Sequence, residues 1–327
     1  MPLDPRLQPF LNQVASQAQR GPREPMILLS EERAKLKVGV ESQQMQAAIA
    51  LSNEQEPIAH IENRVIPGPM GDIPFRLYTP KGTGPFPILM FFHGGGWFSG
   101  NVDTHELMCR SLCHGAQCLV LSVDYRLAPE HKFPAGLEDC YTATCWAATH
   151  AAEFQADPTR IAVSGDSGGG TFATVVALTS HDRSGPTLVF QLLLWPSIDF
   201  RITTPSWKKY DGYLMTSQEF LVVRDIYLNH TEEQSHPYAA PLFAPDLHGL
   251  PPALIITAEC DSLRDGAEQY GQRLQEAGVP TTISRYDGMV HGFMHMKTLI
   301  PTQANQAFTE TSNALRASFT LAENKVS

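Results

Sequence analysis

The chain has no apolar run long enough to cross a bilayer. Its most apolar stretches, residues 87–92 and 188–196, fall well short of the roughly 20 residues a spanning helix needs, so no membrane span is expected. Basic charge is in short supply. Lys and Arg number 24 against 34 Asp and Glu, a net charge of −10, which argues against nucleic acid or an anionic membrane surface as the main partner. The first residues carry no basic segment leading into an apolar one, so no export signal is expected. Six cysteines occur, none in a Cys-x-x-Cys pair, so a zinc centre is not expected, and no metal is. Without an export signal those thiols are expected reduced, in a cytoplasmic protein. His105-Glu106 begins like a zinc-protease His-Glu-x-x-His, but the fifth position is Cys109 and the motif fails. Internal repeats and low-complexity tracts are missing as well.

What remains is an ordinary globular composition, 43% hydrophobic and 18% charged over 327 residues, enough for one large core and a smaller appendage. Residues 1–55 look helical. Leu7, Phe10, Leu11 and Val14 fall at helical spacing, and Ser30 before Glu31 and Glu32 suits a second helix start. From about residue 58 the pattern becomes strand-like. Segments 59–66 and 73–78 resemble an antiparallel pair across a Pro- and Gly-rich turn. Apolar strands at 88–92, 118–123, 160–164, 189–195, 254–257 and 281–286 then alternate with helical stretches. Helices are expected at 136–154, after Ser167, at 264–277 and at 303–319. Such alternation predicts an α/β protein with a mostly parallel central sheet flanked by helices. Residues 200–237 break the series and read as an insertion over the sheet's carboxyl edge, where such folds bind ligands.

The strongest local signal is Gly165-Asp166-Ser167-Gly168-Gly169, a G-x-S-x-G sequence between an apolar strand and a helix. That context exposes a nucleophilic serine on a sharp turn at a helix amino terminus, and the glycines avoid collisions across it. Read alone, Ser167 could be a plain helix cap. A second glycine turn, His93-Gly94-Gly95-Gly96-Trp97, follows the strand at 88–92 and could bring main-chain N–H groups close to a developing oxyanion. A nucleophilic serine needs a base and an orienting acid, and in this strand–turn–helix setting the acid and then the histidine follow the serine in the chain. His291, in the turn after the last apolar strand, fits the base. Asp261, after the strand before it, fits the acid. Glu259, Asp265 and His295 are rivals better explained as surface charges or a packed histidine.

With these motifs assembled, the chain resembles the hormone-sensitive-lipase-like branch of α/β-hydrolase esterases, the bacterial family IV group, from about residue 58 onward. The resemblance rests on His93-Gly94-Gly95-Gly96-Trp97, Asp124-Tyr125-Arg126-Leu127-Ala128-Pro129-Glu130, Gly165-Asp166-Ser167-Gly168-Gly169, Asp261-Ser262-Leu263-Arg264-Asp265 and Met289-Val290-His291-Gly292-Phe293. It implies the α/β-hydrolase fold with a helical cap. Residues 1–55 and 200–237 would supply the cap, and 56–199 with 238–327 the catalytic core. It further implies a triad of Ser167, Asp261 and His291, oxyanion donors at Gly95, Gly96 and Gly168, and Arg126 and Glu130 bracing a structural loop. The implied reaction is hydrolysis of short- to medium-chain acyl esters without a cofactor, the partner being a small-molecule ester. Subunit number is left open, a homo-oligomer included. Two positions depart from the branch: Gly168 stands where alanine is usual, and Ser262 where proline is usual. Related plant gibberellin receptors lack the triad histidine, whereas His291 is present here. Trp195, at the end of the strand at 189–195, and Trp97, beside the oxyanion turn, are expected to wall the substrate pocket.

Overall fold

The computed structural model describes residues 3–18 and 56–326. Helix α1 (Gln8–Ala18) follows a short 3₁₀ turn at Pro5–Leu7 that Asp4 caps by accepting the Arg6 N–H. The second amino-terminal helix, expected from Ser30, lies outside the described residues. Strands β1 (His60–Gly68) and β2 (Gly71–Thr79) form the expected antiparallel pair. Next come β3 (Phe86–Phe92), helix α2 (Glu106–Ala116), β4 (Leu119–Val123), α3 (Ala135–His150), β5 (Ala156–Asp166) and α4 (Gly168–Asp182). Strand β6 (Leu188–Leu194), the short helices α5 (Pro205–Tyr210) and α6 (Ser217–Tyr227), β7 (Ala253–Cys260), α7 (Arg264–Glu276), β8 (Thr281–Val290) and α8 (Pro301–Val326) complete the order.

The sheet runs β1-β2-β4-β3-β5-β6-β7-β8. Strand β2 runs antiparallel to both its neighbours, β1 and β4, and every pair from β4 through β8 is parallel. The alternating side chains of β3 show why both faces must be covered. Ile88, Met90 and Phe92 join a core with Phe172 of α4, Cys140 of α3 and Tyr270 of α7. Leu89 and Phe91 point the other way, into a core with Leu7, Leu11, Leu112 of α2 and Phe308 of α8. A strand buried on both faces reads as a continuous apolar run, and all of β3 is buried.

Helix α2 has no counterpart among the sequence-based expectations. It makes the crossover from β3 to β4, burying Leu107, Met108, Cys109, Leu112 and Cys113. Chain order reverses around β3: β4 lies on one side and β5 on the other. The crevice at that reversal opens at the carboxyl ends of β3 and β5, where the two glycine turns emerge.

Candidate active site

Ser167 directly follows β5 and precedes α4, with φ 52° and ψ −119°. A side-chain-bearing residue is rarely found there, at a cost on the order of 1–3 kcal/mol. The turn stays this tight because its flanking glycines leave no room for anything larger. A Cβ on Gly165 would sit 2.2 Å from the Gly169 carbonyl oxygen, and one on Gly169 would sit 2.0 Å from the Phe92 carbonyl oxygen. The elbow is fastened to β6 and beyond by Ser167 N–H donating to Leu194 O at 2.9 Å and Ser197 N–H donating to Ser167 O at 3.0 Å.

His291 lies in the turn after β8, about a quarter exposed, and its Nδ1 is 2.8 Å from Oδ2 of the buried Asp261 after β7. The other Asp261 oxygen accepts the Leu263 N–H at 2.9 Å, which fixes the carboxylate's orientation. The rival groups are occupied elsewhere. Glu259 accepts the Gly288 N–H at 2.8 Å. Asp265 accepts the Ser206 N–H of α5 at 2.7 Å and pairs with Arg264. His295 is buried and turns toward Asp166.

The glycine turn after β3 sits against this elbow. Gly95 and Gly96 have φ of +116° and +60°, which glycine adopts readily. The backbone N–H groups of Gly95, Gly96 and Gly168 donate to no partner among the described residues. That of Gly94 donates to Asp166 Oδ1 at 2.8 Å. Trp97 is buried, its Nε1–H donates to Gly168 O at 3.0 Å, and its ring stacks on Tyr227 of α6 at 4.4 Å. Its contact with the elbow thus runs through the Gly168 carbonyl. Val223, also on α6, would be 3.0 Å from a Cβ on Gly96, so this helix lies over the glycine turn. Trp195 is likewise buried, with its ring 6.3 Å from that of His291 and 5.4 Å from Phe293. Arg126 braces its loop by a bidentate bond to Asp139 of α3.

No local pattern assigns a role to His93, His105 or Asp166. Asp166 ends a fully buried strand segment, and a carboxylate there must find partners; that was the available signal. Burial works against its charge, yet His105 and His295 hold it well below the usual carboxylate range. Ligand-capable atoms of His105, Asp166 and His295 lie within 4.8 Å of one another, with the histidine nitrogens at hydrogen-bond distance from the carboxylate. Burial pushes the His93 imidazole down to about 3, so it stays neutral. The Tyr125 hydroxyl donates to His93 O at 2.6 Å and its ring stacks on the imidazole.

A mostly parallel sheet, a strained serine at the end of β5 and an Asp–His pair on the loops after β7 and β8 define an α/β hydrolase. The chain belongs to the alpha/beta hydrolase fold family, which it matches over residues 89–295, in its hormone-sensitive-lipase-like branch. It is 43% identical to the carboxylic ester hydrolase LipN of Mycobacterium tuberculosis over 77% of this chain and 69% of that protein. It is 30% identical to an ethyl acetate hydrolase of Pseudomonas putida over 97% of this chain and 99% of that one. A hyperthermophilic esterase from Pyrobaculum calidifontis, 36% identical, has a TM-score of 0.88 and covers 97% of this chain and 99% of its own. The chain is a carboxylic ester hydrolase. Among the described residues no helix is long and apolar enough to cross a membrane.

Proposed function

We propose a serine carboxylesterase acting on short- to medium-chain acyl esters through an acyl-enzyme on Ser167. The observation that carries this reading is the 2.8 Å hydrogen bond between His291 Nδ1 and Asp261. It leaves the far ring nitrogen of His291 to take the Ser167 proton as the hydroxyl attacks the ester carbonyl. The Gly95, Gly96 and Gly168 N–H groups would hold the oxyanion. His291 then protonates the departing alcohol, and water repeats the sequence to release the acid. No cofactor enters these steps.

Small acyl groups suit a site walled by Trp195 close to His291, with Trp97 acting from behind Gly168. The Pseudomonas putida relative named an ethyl acetate hydrolase supports the small end of that range. We assign α1, with α5 and α6 in 200–237, to a cap over a core of 56–199 and 238–327; residues 19–55, expected in the same cap, lie outside the described residues. All six cysteines are free, and five are buried, which fits a reducing, cytoplasmic setting.

The test is turnover of p-nitrophenyl acetate by wild type and Ser167→Ala. Loss on the order of 10⁶-fold with an unchanged circular dichroism spectrum is expected. A variant keeping a tenth of the activity would remove Ser167 as nucleophile. Matched anilide and ester substrates separate an esterase from an amidase, and faster ester cleavage is expected.

A further inference from the structure

We propose that Asp166 is a positioning residue for ester hydrolysis: its carboxylate fastens the oxyanion turn and the general-base loop to the nucleophile elbow. This rests on the triad and oxyanion assignments above. Three chain segments converge on the side chain. Gly94 N–H, one residue before the proposed oxyanion glycines, donates to Oδ1 at 2.8 Å. His105 Nε2, from the loop leading into α2, lies 3.1 Å from the same oxygen. His295 Nε2, four residues beyond His291, lies 3.4 Å from Oδ2. Asp166 is itself joined to Ser167.

Gly94 N–H also comes within 3.2 Å of His105 Nε2, but the carboxylate is the nearer and stronger acceptor. Fit against the turn is equally close, since a Cβ on Gly94 would lie 2.5 Å from Asp166 Oδ2. The three donors are drawn from regions far apart in sequence, so one buried carboxylate sets their mutual distances. Preorganised donors matter most for the oxyanion, where small misplacement weakens the bond that forms only in the transition state.

The test is Asp166→Asn, whose amide keeps the size but turns an N–H₂ toward groups that donate. Competent sites are counted by stoichiometric labelling with a fluorophosphonate, and kcat for p-nitrophenyl acetate is expressed per labelled site. We expect kcat per site to fall on the order of tenfold or more, less than the 10²–10³ for outright loss of an oxyanion donor. KM should stay within about threefold. Equal kcat per labelled site in variant and wild type, with only the melting temperature or the number of sites reduced, would overturn the proposal. Should Asp166→Asn fail to fold, His105→Gln and His105→Leu approach the carboxylate from the other side. The glutamine amide can still donate, so it should keep the higher kcat per site, and equal values for the two would overturn the proposal. Activity of wild type lost in EDTA and restored by zinc would also overturn it. Absence of labelling at Ser167 in wild type would instead strike at the nucleophile assignment, a separately visible failure.

Discussion

Single residues divide sharply into those the turn forbids to grow and those it tolerates. Gly165 and Gly169 face backbone atoms at 2.2 and 2.0 Å from an added Cβ, whereas at Gly168 the nearest atom is Trp97 Nε1 at 3.2 Å. Gly168→Ala should therefore fold and retain activity, while Gly169→Ala should lose soluble protein or most of its melting temperature. Comparable thermal melts for the two would contradict this geometry. The acid offers a second contrast. Asp261→Asn should reduce kcat/KM by on the order of 10⁴-fold by freeing the histidine tautomer. Asp265→Asn, which loosens α5 instead, should cost far less. The opposite order would put the acid at Asp265. Trp195→Ala should raise octanoate turnover relative to acetate while lowering stability by roughly 3–5 kcal/mol, the range for a buried aromatic. An unchanged ratio would remove Trp195 from the pocket.

At the scale of elements, the G-x-S-x-G turn and the parallel strands were legible because they repeat local rules, a strained turn and apolar runs. Helix α2 was not, since its inward face is built from Cys109, Cys113, Met108 and Leu112 amid histidine and arginine, a stripe that composition makes resemble a ligand-rich loop. A place over the carboxyl edge was expected for α6 as part of 200–237, but its seat against the glycine turn was hidden. It depends on Val223 and Tyr227 meeting Gly96 and Trp97 across more than a hundred residues of sequence, and no local pattern records such a contact. This helix starts with a capping box, Thr216 accepting the Glu219 N–H at 3.1 Å and Glu219 accepting the Thr216 N–H at 2.8 Å. Thr216→Ala should cost about 1 kcal/mol and raise amide hydrogen exchange along 217–227, with acetate turnover largely kept. Exchange unaltered in that segment would mean the cap is not what holds the helix.

The whole molecule carries a consequence of the buried histidines beneath its site. Unfolding releases His93 from about 3 to an ordinary value near 6.5, and burial lowers His295 as well. Below pH 6.5 the unfolded chain therefore binds protons that the native one refuses, and stability declines as pH falls toward 3. His93 alone should remove about 1 kcal/mol between pH 6.5 and 5.5, a window above most carboxylate titrations. Urea unfolding at the two pH values reads this directly, and equal free energies would contradict it. The same sheet order sets the carboxyl ends of β5, β7 and β8 along one edge, and the proposed mechanism has Ser167 attack there, its proton passing to His291 while Asp261 orients the imidazole. The most direct measurement of that claim is to quench the wild-type protein during turnover of a slowly deacylated p-nitrophenyl ester and map the adduct by peptide mass spectrometry. A single acyl group on Ser167 is the predicted result. An unmodified Ser167, with the acyl group on another residue or on none, would contradict it.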